Sequence, residues 1–172
     1  YISAEYAIVG WLVTYFQDTG VLDASWSQLM NSLLWLVIFI GRMVGAAITG
    51  RVSRSKLLLL DGAGFFACFL VMFFSRTPLP IILGLVGVGL FMATIYPTAF
   101  AFGSDCIRGN DLGCSVMIFT GSVGGIITPF LVGQVAERAG IQAGMGVVAA
   151  LTALLLVSIV LSVWSVRRAK AE

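Results

Sequence analysis

The stretch Trp26–Arg54, WSQLMNSLLWLVIFIGRMVGAAITGRVSR, decides the class of the protein. Its apolar part exceeds the ~20 residues that a helix needs to cross the hydrocarbon of a bilayer. One cation, Arg42, lies well inside that part, and a basic cluster of Arg51, Arg54 and Lys56 follows it. A guanidinium at membrane depth is costly and turns toward a protein interior or a watery cavity. The stretch therefore supplies a span, an orientation and a candidate site.

The rest of the chain agrees with a membrane location. Of 172 residues, 59% are hydrophobic and 10% charged, where ordinary soluble domains carry ~25% charged residues. The apolar runs are continuous, whereas a membrane β-barrel alternates apolar and polar positions over segments of ~10 residues. The fold class is thus an all-α membrane protein. A net charge of +2 marks no nucleic-acid surface. Cys68, Cys106 and Cys114 have no framework spacing and there is no histidine, so neither a disulfide scaffold nor a metal site is expected. No nucleophile–base pair is visible, so neither an enzyme nor a cofactor is expected. The chain opens at Tyr1 inside an apolar run, without the charged n-region or cleavage site of a signal peptide. It reads as a fragment or as a chain lacking residues before Tyr1.

Six transmembrane segments are expected, at 1–16, 26–50, 57–75, 81–103, 113–135 and 143–164, in one domain covering 1–172. Short connections make neighbours antiparallel. Arg51, Arg54, Lys56, Arg108, Arg167, Arg168 and Lys170 then fall on one side, against Arg76 and Arg138 on the other. That bias places the first side, with both termini, in the cytoplasm, and the chain in the cell (plasma or inner) membrane as a multi-pass protein surrounded by lipid. A shift of 83 positions superposes Gly41 on Gly124, Gly50 on Gly133 and Val52 on Val135. Two three-helix repeats of inverted topology produce such a register; so does coincidence in glycine-rich helices.

On a wheel of ~100° per residue, Ser27, Asn31, Trp35, Ile38, Arg42, Gly45 and Thr49 share one face of the second helix. Leu33, Leu36, Val37, Ile40, Val44 and Ala47 share the other, which is expected to meet lipid. The polar face reads as a cavity wall, in which Asn31 offers hydrogen bonds and Trp35 a stacking surface, or as helix packing. Arg42 lies between the depths of two candidate partners, Glu5 and Asp61; an Arg42–Asp61 intramembrane ion pair is one expectation, and a salt bridge from Asp61 to the basic cluster is the other reading of that acid. Glu5 is either a proton-coupling group, since a carboxyl at membrane depth takes up a proton when it lacks a partner, or a fixed hydrogen bonder. In the fourth helix Pro97 removes a backbone hydrogen bond, and Tyr96 beside it offers a hydroxyl to a solute or to the core. In the fifth, Gly121, Gly125, Pro129 and Gly133 recur every four residues. That spacing permits close helix packing and places a kink or gate at Gly125 and Pro129.

Four segments carry a family resemblance. GRMVGAAITGRVSR, GLFMATIYPTAFAFG and GSVGGIITPFLVGQVAERAG resemble the C-terminal half of major facilitator superfamily transporters. YISAEYAIVGWLVTYF is similar to the seventh helix of the fucose permease-like sugar:proton symporters. The resemblance implies one six-helix half of a twelve-helix fold, alternating access, and a sugar or similar small polar solute as cargo. It implies a cavity lined by the first, second, fourth and fifth helices, with Asn31, Trp35 and Tyr96 as substrate-binding positions. Thr49 stands where the family's cytoplasmic motif has an acid, and the proton-coupling acids of the other half are absent from this chain. A second six-helix half or a homodimer would complete the pathway. Two other readings keep the same helices: a channel-like subunit, and a non-transporting membrane subunit or receptor.

Overall fold

The computed structural model describes residues 1–48, 50–106 and 111–169. It contains six helices in sequence: α1 (Ile2–Asp18), α2 (Ala24–Ile48), α3 (Arg54–Phe74), α4 (Pro78–Cys106), α5 (Asp111–Ala139) and α6 (Ile141–Ala169). Five of them, α2 to α6, are long and apolar enough to cross a membrane; α1 has 17 residues. The helices extend beyond most of the apolar stretches, so that α4 starts at Pro78 and α5 reaches Ala139. Apolarity marks the hydrocarbon layer, while the backbone remains helical into the interface until a turn residue stops it. Pro78 suits the first position of α4, where its missing N–H costs nothing. Gly140, at φ +85°, ends α5 and is the whole link to α6. Its N–H donates to Ala136 O at 2.9 Å, capping the last turn of α5.

The helices pack as two interleaved triplets. α4 lies against α2 and α3, and α1 lies against α5 and α6. Exchanging the first three helices with the last three maps one set of contacts on the other, as inverted repeats require. The symmetry is incomplete. α5 and α6 pack on each other, whereas α2 and α3 pack on α4 rather than together. The 83-residue register shows the same mixture. Gly41 and Gly124 both sit at close crossings, the first against Ala93 of α4 and the second against Ser3 of α1. Gly50, however, occupies a turn at φ +101°, while its counterpart Gly133 lies inside α5.

An aromatic core closes the end of the bundle where α1 and α3 finish. Tyr15 and Phe16 meet Phe69 and Phe73 there, with Tyr15 and Phe73 rings stacked at 6.4 Å. The Tyr15 hydroxyl donates to Phe73 O at 2.9 Å, so this large ring is buried with its polar atom satisfied. Arg76 Nη2 donates to Gln142 Oε1 at 2.8 Å just beyond. At the opposite end Leu58, Ile159 and Val163 join α3 to α6.

The buried stripe of α2 is Ser27, Met30, Leu34, Val37, Ile38, Gly41 and Gly45. Val37, expected among lipid-facing residues, is therefore a core residue. A Cβ on Gly89 would stand 2.8 Å from Val37 Cγ1, so the missing side chain on α4 makes room for Val37. In an apolar solvent small residues, more than polarity, mark where two helices meet.

Candidate functional site

A cleft of 690 Å³ opens between α1, α2, α4 and α5. α1 contributes Glu5 and Tyr6, α2 Trp35 and Arg42, α4 Tyr96, and α5 Ser122 and Gly125, with Ile2, Val9, Ile118 and Ile126 as apolar wall. Alternating chain direction explains this assembly. The start of α1, the later halves of α2 and α4, and the earlier half of α5 lie at one depth. Gly121 and Gly125 complete it, because side chains there would run into Ile2 and Tyr6.

Glu5 is 9% exposed and projects toward the cleft within electrostatic range of Arg42. Among the described residues, Arg42 forms no ion pair within 4.0 Å. The Tyr1 hydroxyl is buried near both charges and completes a well-formed hydrogen bond with neither. The Tyr1 ring stacks on Tyr96 at 6.0 Å, and Tyr96 meets Phe100 at 6.2 Å. The cleft thus combines a carboxylate, a guanidinium, phenol and hydroxyl groups and an indole in an apolar frame. Such a set of a few polar groups in apolar walls orients a small polar molecule.

Arg42 and Tyr96 have a second exposure. Both also line a neighbouring cavity of 480 Å³, toward the basic end of α2, together with Arg54, Thr94, Pro97 and Thr98. They form the partition between the two spaces.

The expected Arg42–Asp61 ion pair is replaced by another contact. Asp61, 5% exposed, accepts a short hydrogen bond from Thr94 Oγ1. The close crossing of α2 and α4 accounts for this. The Thr94 methyl fills the space left by Gly45, which directs its hydroxyl across to α3. Arg42 faces the cavities instead, on the side of Glu5.

Of the three expected solute-binding positions, Trp35 and Tyr96 reach the cleft, 47% and 37% exposed. Asn31 lies one turn further along α2, outside the lining of either cavity. Its Oδ1 is buried without a hydrogen-bond partner. Pro97 borders the second cavity. The Pro129 carbonyl accepts from Trp11 Nε1 at 2.9 Å, a bond that ties α1 to α5. Gly125 lies at the cleft, in contact with Ile2 and Tyr6. Thr49, Arg108 and Lys170 fall outside the described residues. Sequence reasoning passed over Tyr1, Tyr6 and Ser122. Tyr1 and Glu5 are four apart and so share a helix face, which was the available signal; a lone serine in a glycine-rich helix gave none.

Comparison with known proteins agrees with this architecture. The chain is 30% identical over 147 residues to the glucose/mannose transporter GlcP of Bacillus subtilis, covering 85% of this chain and 36% of that protein. It is 26% identical over 150 residues to the glucose/galactose transporter of Brucella abortus, covering 83% and 35%. It is 26% identical over 112 residues to human major facilitator superfamily domain-containing protein 4A, covering 64% and 22%. No family model and no solved structure matches. The aligned region spans between 22% and 36% of these relatives' length. By its motifs, its six-helix plan and its relatives, this chain is homologous to part of a major facilitator superfamily transporter.

Proposed function

We propose that the chain is one six-helix half of a secondary active transporter that moves a sugar, or a similarly small polar solute, by alternating access. The observation that carries this reading is the cleft at which Glu5, Trp35, Arg42 and Tyr96 converge from three helices. An indole face suits the apolar face of a sugar ring, and the charged and phenolic groups suit its hydroxyls. Relatives that are glucose/galactose and glucose/mannose transporters support the same cargo class. The cleft is open along one side, and a second six-helix half, or a second copy of this chain, would close it. Glu5 is the proton-coupling group, with Arg42 as its counter-charge. The basic residues beyond α2 and α6 face the cytoplasm of the cell membrane, as do both termini.

The test uses the full chain in proteoliposomes with an imposed proton gradient. Labelled glucose should accumulate saturably in proportion to the gradient. Glu5→Gln should abolish accumulation while retaining counterflow exchange, and Trp35→Ala should raise KM. Accumulation that persists in Glu5→Gln would remove the coupling role. Flux that rises linearly with glucose and ignores the gradient would make the protein channel-like. Cross-linking in native membranes reports the partner: a homodimer or an adduct with another six-helix chain is expected, and transport by an isolated monomer contradicts the half-pathway.

A further inference from the structure

One buried polar group beside the cleft takes no part in holding the solute. The Tyr1 hydroxyl is enclosed and has no hydrogen-bond partner among the described residues, and Tyr1 is not part of the cleft wall. A buried phenol ordinarily has its polar atom engaged, as the Tyr15 hydroxyl is by Phe73 O. The groups nearest the Tyr1 hydroxyl are charged. Glu5 N donates to Tyr1 O at 2.9 Å, so the two residues are one helical turn apart and share a face of α1. Arg42 approaches the same hydroxyl from α2. Among the described residues, Glu5 and Arg42 form no ion pair within 4.0 Å, which leaves the hydroxyl as the neutral group common to both.

The three groups are complementary. A carboxylate only accepts hydrogen bonds, a guanidinium only donates, and a hydroxyl does both. One phenol can therefore accept from Arg42 and donate to Glu5 at once, and both bonds are charge-assisted, about twice as strong as neutral ones. A direct ion pair would hold Glu5 in its charged form, whereas contact through a hydroxyl leaves the carboxylate free to exchange its proton. The Tyr1 ring is itself held by α4: it stacks on Tyr96 at 6.0 Å and 28°, and Tyr96 meets Phe100 at 6.2 Å. That stack determines where the hydroxyl can reach.

We propose that Tyr1 is a positioning residue for Glu5. When Glu5 gives up its proton to water in the cleft, the Tyr1 hydroxyl closes a bridge, accepting from Arg42 and donating to the Glu5 carboxylate; the bridge opens when the proton returns. The unbonded hydroxyl in this structure is the open form. The role rests on the reading of Glu5 as the coupling group. The charged and titratable groups that act on Glu5 are the Tyr1 hydroxyl and the amino group of residue 1 on α1, and Arg42 on α2. α5 presents Ser122, Gly125 and apolar side chains to the cleft, and the charges of α6 among the described residues, Arg167 and Arg168, stand in its last turn.

The experiment follows proton binding directly, independently of transport. Infrared difference spectra of the full chain in nanodiscs are recorded against pH, and the Glu5 carboxyl band is identified by its loss in Glu5→Gln. Tyr1→Phe keeps the stacked ring and removes the hydroxyl; it should move the midpoint of that band upward by about one pH unit, an approximately tenfold change in proton affinity. Tyr96→Leu, which removes the ring on which Tyr1 stacks, should move it the same way by less. Tyr15→Phe, a hydroxyl lost from the far end of α1, should leave it unchanged. Gel filtration verifies that each variant is monodisperse, and Tyr96→Leu carries the same test should Tyr1→Phe aggregate. A midpoint in Tyr1→Phe equal to that of the unaltered chain overturns the proposal, as does an equal shift in Tyr15→Phe or a Glu5 band that does not titrate. Accumulation that persists in Glu5→Gln, by contrast, removes the coupling role and leaves these midpoints as they are.

Discussion

Two helix crossings, related by the inverted repeat, use glycine in opposite ways. At the α2–α4 crossing, Gly41 faces Ala93 and Leu90, and Gly45 faces Thr94. Small, stiff groups fill that space, and Thr94 is further fixed by its bond to Asp61. At the α1–α5 crossing, Gly124 faces the small Ser3, but Gly121, Gly125 and Gly133 face Ile2, Tyr6 and Trp11. There three of the four glycines receive long side chains, of which Ile2 and Tyr6 border the cleft. The same spacing of small residues thus yields a rigid seam in one repeat and an adjustable wall in the other. What differs is whether the opposing side chain has another conformation available.

Substitutions should expose that difference in graded order. The largest effect is expected from Gly45→Ala. The new methyl collides with Thr94, which cannot turn without releasing a buried carboxylate. Overpacking and a lost hydrogen bond to a charged group together cost about 3 kcal/mol, readable as a drop in thermal unfolding temperature in detergent. Gly41→Ala should follow at about 2 kcal/mol, because its Cβ would stand 2.7 Å from Ala93 Cβ and 3.2 Å from the Leu90 carbonyl oxygen. On the other seam, Trp11→Phe removes the bond to Pro129 O and should cost about 1 kcal/mol. Gly125→Ala is expected to be mildest in stability, about 0.5 kcal/mol, since Ile2 and Tyr6 can move aside. Its effect should appear in the cleft, as a higher KM for the solute. A Gly125→Ala protein as unstable as Gly45→Ala would erase the distinction between the seams.

The sequence carried the spans and their antiparallel order because continuous apolar length is a signal independent of neighbours. It also carried the residues at the cleft that are chemically unusual for a membrane helix: Glu5, Arg42, and the aromatic pair Trp35 and Tyr96. Side-chain partners were less legible. Asp61 and Thr94 meet only through the α3–α4 register, which no local pattern encodes. The wheel of α2 separated polar from apolar positions, yet Val37 is buried and Asn31 stands beyond the cleft. Burial inside a membrane follows the backbone approach that glycines permit, and in α2 that stripe is rotated from the polar face. The degraded register between Gly50 and Gly133 has a related origin, since one repeat ends in a turn where the other continues as helix.

The one-residue link at Gly140 bears on how the chain enters its membrane. α5 and α6 are joined by this single residue and so form a tight helical hairpin. In the proposed orientation a hairpin of this kind would enter as one unit, with its tip the part that crosses the bilayer. That tip carries Glu137 beside Arg138, a pair whose charges sum to zero. The cargo of translocation is then a neutral turn rather than an isolated cation, and the arginines that would resist passage, Arg167 and Arg168, remain on the side from which synthesis delivers them.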